Sequence, residues 1–221
     1  MKGNWHMKRI LAVFLVLTFT NLYALTKDEM GFLQASQNGD IKTVMKSLNA
    51  GMDIDIQNER GWTALMLASY NDYTEIVKEL IRAGADVNIQ DKDGYTALIQ
   101  ASINGNTEIV KELIGARADV NIKNVYGYTA LMWASTHGYT EVVKTLIKAG
   151  AHLNIQGVWG YTALIFASEH DKTETVRELI NAGANIDIQD EKGKTPLDYA
   201  KEEGYKEIVE LLEKKGKECK K

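Results

Sequence analysis

Apolar positions recur three and four apart in short runs along this chain, as at Leu65 and Ala68 and then at Ile76, Val77 and Leu80. That spacing sets one apolar face on each of two short helices. The unit returns: Gly61-Trp62-Thr63-Ala64-Leu65 is followed by Gly94-Tyr95-Thr96-Ala97-Leu98, Gly127-Tyr128-Thr129-Ala130-Leu131, Gly160-Tyr161-Thr162-Ala163-Leu164 and Gly193-Lys194-Thr195-Pro196-Leu197, always 33 residues on. Each copy continues with an alanine (Ala68, Ala101, Ala134, Ala167, Ala200), a Glu-Ile-Val-like segment, and a leucine (Leu80, Leu113, Leu146, Leu179, Leu212). A fixed period of this length predicts a stack of supersecondary units.

The glycine before each threonine stands where a tight turn needs a positive backbone angle, and Asp93-Gly94 is the strongest single turn signal. Gly84, Gly150, Gly183 and Gly216 follow the second helix and suit a left-handed helix end. Arg117 occupies that column in one repeat, so its helix is expected to end differently, at Gly115. Small alanines let neighbouring helices approach and leucines fill the space between repeats. No helix pair buries its apolar face alone, so stacking is obligatory and the ends need polar versions of the same columns. Glu213 replaces the isoleucine column of Ile81, Ile114, Ile147 and Ile180, and Asp198 the column of Met66, Ile99, Met132 and Ile165. Thr43 and Ser47 do the same at the other end.

The Gly-x-Thr-x-Leu-x-x-Ala start, the Glu-Ile-Val-Lys-Glu-Leu-Ile middle and the Gly84-Ala85-Asp86-Val87-Asn88 end resemble the ankyrin repeat over nearly all of residues 26–216. The resemblance implies an all-α solenoid of about six helix-turn-helix repeats joined by β-hairpin-like turns. The repeats read as 25–57, a degenerate cap, then 58–90, 91–123, 124–156 and 157–189, and 190–221, a capping repeat with a lysine-rich tail. Alanine replaces the family's usual proline in four copies, Pro196 alone keeping it, and Met or Ile replaces the usual histidine.

Residues 1–24 stand apart. Lys8 and Arg9 precede an almost unbroken apolar run from Ile10 to Phe19, with a polar segment from Thr26, which reads as a secretory signal cleaved near Ala24. The run is shorter than the roughly 20 residues of a membrane span. Met7 begins a better-formed signal than Met1. These features predict an exported chain, periplasmic or secreted, with no stable membrane insertion after cleavage.

Without residues 1–24 the chain carries 23 basic and 30 acidic residues, net charge −7, which argues against binding nucleic acid through a basic surface. Its single cysteine, Cys219, has no partner in the chain. It reads as an unpaired thiol, in keeping with a monomer, a Cys219-linked dimer being the alternative.

The ankyrin resemblance implies that another protein binds the concave face, made by the turn tips and the exposed side of the first helices. Candidate partner-binding residues there are Trp62, Tyr70, Tyr95, Tyr126, Tyr128, His137, Trp159, Tyr161 and His170. Rigid rings with polar tips suit binding hot spots. The column Trp62, Tyr95, Tyr128, Tyr161 reads equally as a structural stack, whereas Tyr126, Trp159 and His137 vary between repeats and are not demanded by the architecture. Trp133 and Phe166 read as packing. No cofactor, metal or catalytic residue is expected. His137 and His170 lie a repeat apart with no cysteine or acidic spacing to help them share an ion, and stacked helices are about 8–10 Å apart. There is no phosphate loop or nucleophile elbow, and Ser69, Ser102, Ser135 and Ser168 recur as small packing residues. Two alternatives to partner binding remain: a self-assembling structural protein, and an effector that binds host proteins.

Overall fold

The computed structural model describes residues 25–218, so the segment read above as a secretory signal, its expected cleavage near Ala24 and Cys219 lie outside the described residues. Within them the chain forms twelve α-helices and no strand. They come in pairs: α1 (Lys27–Asn38) with α2 (Ile41–Asn49), α3 (Ala64–Tyr70) with α4 (Thr74–Arg82), and α5 (Ala97–Asn104) with α6 (Thr107–Gly115). The pairs continue as α7 (Ala130–His137) with α8 (Thr140–Lys148), α9 (Ala163–Glu169) with α10 (Thr173–Asn181), and α11 (Pro196–Glu203) with α12 (Lys206–Glu218). The first helices pack on one another in chain order, and so do the second helices, giving two layers with the core between them.

The threonine of each repeat explains where the first helices begin. Thr63, Thr96, Thr129, Thr162 and Thr195 are extended at the N-cap, and each Oγ1 accepts a hydrogen bond from the amide three residues on. Such a cap is worth about 1 kcal/mol. The alanine column from Ala68 to Ala200 and the leucine column from Leu80 to Leu212 are buried throughout. Ser69, Ser102, Ser135 and Ser168 are also fully buried. Ser102 donates to the carbonyl of Leu98, whereas the other three hydroxyls find no partner, as expected of residues kept for size.

Asp198 and Glu213 show how polar side chains fill the last repeat's apolar columns. Asp198 closes a capping box with Thr195, and Glu213 pairs with Lys201 at 2.9 Å.

Two expectations about helix ends need correction. α6 does stop at Gly115, but its end matches the others, because Arg117 takes the left-handed conformation (φ 67°) that Gly84, Gly150 and Gly183 take elsewhere. The buried Ala118 that follows holds it there: its amide bonds the carbonyl of Leu113, as that of Ala85 bonds Leu80. Gly216 is no helix end either, since α12 runs on to Glu218.

Between repeats the chain makes a hairpin-like tip closed by one backbone bond, such as Asn58 N–H to the carbonyl of Trp62 (3.0 Å) or Gly157 N–H to that of Tyr161 (2.9 Å). Neighbouring tips are tied in turn, Lys92 to Arg60, Val125 to Asp93, Val158 to Tyr126 and Glu191 to Trp159. Side chains one repeat apart add a second ladder: the amides of Asp86, Asp119, His152 and Asn185 donate to Asp55, Asn88, Asn121 and Asn154. These bonds fix the register of the tips on which the candidate side chains stand.

Candidate partner-binding surface

At four tips the first turn residue is Asn or Asp, and its Oδ1 accepts from the amides two and four residues on. Asn58 serves Arg60 and Trp62, Asp91 serves Asp93 and Tyr95, Asn124 serves Tyr126 and Tyr128, and Asp190 serves Lys192 and Lys194, all at 2.8–3.0 Å. In the fifth repeat Gly157 stands in this column and offers no acceptor. There Trp159 adopts φ 63°, ψ 13°, a left-handed backbone that costs a bulky L-residue about 1–2 kcal/mol. The residue is 58% exposed.

Trp159 does not stand alone. Of the six large apolar side chains left exposed among the described residues, four are on these two adjacent tips: Val125 (61%), Tyr126 (49%), Val158 (36%) and Trp159. The Val158–Tyr126 backbone bond of 2.8 Å holds the tips together, so the four form one contiguous patch.

The tyrosines at 95, 128 and 161 behave differently. They are half-buried and alternate with rings from the first helices: Tyr95 with Trp133 (6.2 Å between centroids), Trp133 with Tyr128 (5.9 Å), Tyr128 with Phe166 (5.4 Å), Phe166 with Tyr161 (4.9 Å) and Tyr161 with Tyr199 (5.7 Å). Burial raises the phenol pKa of Tyr95, Tyr128 and Tyr161. Tyr199 is driven far higher, first by burial and then because it donates to Asp190 Oδ2 at 2.6 Å. These rings form a continuous floor, while Trp62 and Tyr70 pair edge-on at 5.5 Å at the N-terminal end of the same face.

His137 and His170 end α7 and α9. Their Nδ1 atoms lie 3.1 and 3.0 Å from the carbonyls of Trp133 and Phe166, and since a carbonyl only accepts, each Nδ1 carries the proton. Both imidazoles are exposed, and that of His137 stacks on Tyr139 at 5.6 Å. Among the described residues no three His, Cys, Asp or Glu side chains cluster in a way that could hold a metal ion.

Two of the clefts along the tips are walled by the candidate rings. One of about 930 Å³ lies between Trp62, Tyr70 and Tyr95, with the amide side chain of Gln100, 4% exposed, in its lining. The other, of about 520 Å³, is walled by Tyr128, Trp159, Tyr161 and Phe166, with Glu169, Glu191 and Lys192 at its edge. Gln100, Tyr199, Glu191 and Lys192 were not among the candidates. Gln100 and Tyr199 share the column of Leu67, Trp133 and Phe166, and Glu191 and Lys192 continue the tip columns, so following each column through every repeat finds them.

No curated protein matches the chain. The family model for ankyrin repeats, three copies, matches residues 32–124, 67–157 and 152–221, overlapping segments that together run from Phe32 to the last residue. The 33-residue period, the two helix layers and the tied tips agree with that match over the whole span, and the chain belongs to the ankyrin repeat family.

Proposed function

We propose that this chain is an exported protein-binding module that docks another protein on its concave face, with Trp159 and Tyr126 as the anchors. Ankyrin repeats generally mediate protein–protein interaction, which supplies the class of activity. The observation that carries the choice of anchors is Trp159 itself. A bulky residue held in the left-handed region, with more than half of its surface in solvent beside Val158 and Tyr126, carries a backbone cost that the fold offsets only in part. Contact with a partner gives that ring what the fold does not, and tryptophan and tyrosine are the residues that dominate binding energies. The floor of Tyr95, Tyr128 and Tyr161 serves as a rigid base, with Trp62, Tyr70, His137 and His170 along its margin. Export rests on the basic, apolar, polar order of residues 8–26. No helix of the described residues is long and apolar enough to cross a membrane.

The test is capture from the exported fraction of the source cell, with the protein as bait and the Tyr126→Ala, Trp159→Ala double variant as control. A protein retained by the wild type and lost with the variant, at a nearly unchanged thermal midpoint, supports the docking surface. Retention by both, or loss of folding in the variant, removes it. Recovery of the bait alone, with a mass that rises with concentration, would favour self-assembly.

A further inference from the structure

The cleft beside Trp159 has the chemistry of a cation site. Its walls are the rings of Tyr128, Trp159, Tyr161 and Phe166, and Glu169 and Glu191 stand at its edge. Neither carboxylate has a lysine or arginine within 4.0 Å among the described residues, whereas Lys194, on the same hairpin as Glu191, is taken up by Glu202. Glu169 is held loosely and from one side only: its Oε1 lies 3.3 Å from Tyr161 Oη, whose single proton is drawn to the nearer Tyr199 Oη at 2.7 Å, because Tyr199 donates its own to Asp190. His170, whose Nδ1 is 3.8 Å from Oε2, directs that proton to the carbonyl of Phe166. The remaining lone pairs of Glu169 are therefore free. Glu191 is pinned at the mouth by its amide bond to the carbonyl of Trp159 (2.9 Å). Lys192 also lines the mouth but pairs with neither acid.

We infer that this cleft receives an arginine side chain of the docked protein, its guanidinium stacked on Trp159 or a neighbouring ring and hydrogen-bonded to Glu169. The inference deepens the reading of this face as a docking surface and rests on it. Aromatic faces attract cations, and a guanidinium also stacks on rings and meets a carboxylate with two parallel donors, which an ammonium cannot do. A purely aliphatic side chain would suit the walls but leave the two carboxylates unused, and an acidic one would be repelled by them. The net charge of −7 on residues 25–221 adds a long-range bias towards a basic partner.

Titration of the protein with N-acetyl-arginine amide, followed by the indole resonance of Trp159 as assigned with Trp159→Phe, tests this directly. N-acetyl-citrulline amide keeps the shape without the charge, and N-acetyl-norleucine amide keeps only the chain. Arginine amide should shift the resonance saturably, citrulline and norleucine amides should bind at least about tenfold more weakly, and Glu169→Gln should lose about tenfold for arginine amide with an unchanged melting curve. Equal shifts with all three probes, or none with arginine amide, overturn the inference. If partner capture still depends on Trp159 in that event, the guanidinium assignment alone has failed; if capture fails too, the docking surface falls with it.

Discussion

Tyr128 lays its ring against the backbone of Gly157, so closely that a Cβ added at Gly157 would overlap Cδ1 and Cε1. The two residues explain each other. A glycine in a column of Asn and Asp gives up two turn hydrogen bonds, and the space it vacates is filled by the ring that joins Trp133 to Phe166. Restoring the column residue with Gly157→Asn should therefore destabilise the protein, by about 1–3 kcal/mol as overpacking does, although it adds an acceptor. In a Tyr128→Ala background the asparagine has room to accept from the amides of residues 159 and 161. Urea denaturation of the four proteins of the cycle should show the double variant more stable than the sum of the singles by about 1 kcal/mol or more. Additive losses would mean that the ring and the glycine are independent.

Gly115-Ala116-Arg117 inverts the Arg82-Ala83-Gly84 of the preceding repeat, and both ends of the inversion carry a cost. Gly115 lies in the last turn of α6 with open space where a side chain would go, and Arg117 is exposed in the left-handed region with no ion pair among the described residues. A helical glycine costs up to about 1 kcal/mol and a left-handed non-glycine about 1–2 kcal/mol. Exchanging the two, as Gly115→Arg with Arg117→Gly, should stabilise the stack by about 2 kcal/mol, or roughly 4–8 °C in Tm. Calorimetry of both singles and the pair would show it, and a pair no more stable than the wild type would mean that Arg117 makes an interaction that offsets its backbone.

The 33-residue recurrence made the stack, the turn glycines and the small-residue columns legible, because each is a local demand repeated five times. The site was legible in outline only. Column membership singled out Tyr126 and Trp159 as departures, yet nothing in a column says which rings lean on each other, and the alternation of Tyr95, Tyr128 and Tyr161 with rings of the first helices shows only in the ring distances. The left-handed backbone of Trp159 was hidden for a related reason: it accompanies an acceptor missing two residues earlier, and that coincidence shows only once the turn's hydrogen bonds are drawn. At Arg117 the demand of the site for a left-handed residue overrides the residue's own preference.

That turn column also sets up a pH experiment with opposite signs at two positions. Asp91 and Asp190 each accept two backbone amides at a tip and are 8% and 6% exposed. Burial raises the pKa of Asp91 above the usual 3.8, its hydrogen bonds and the repulsion of Asp93 doing less than desolvation. Burial acts on Asp190 as well, but the proton donated by Tyr199 and the amides of Lys194 and Lys192 together outweigh it and lower the pKa. For Asp91 the folded state binds its proton more tightly than the unfolded state, so stability is lost as pH rises from about 3.8 through the folded pKa and stays lost above it. Asparagine, already present at Asn58 and Asn124 with the same two bonds, has no charge to bury. Asp91→Asn should thus stabilise the protein at pH 7, with a gain that shrinks as pH falls towards 3.8. For Asp190 the stabilisation is present above 3.8 and is lost as pH falls through the lower folded pKa. Asp190→Asn should accordingly destabilise at pH 7, by removing the acceptor of Tyr199, and the loss should shrink in acid. Denaturation midpoints of the two variants against wild type across pH 3–7 decide it: slopes of the same sign would mean that the Tyr199 hydroxyl does not distinguish the two carboxylates.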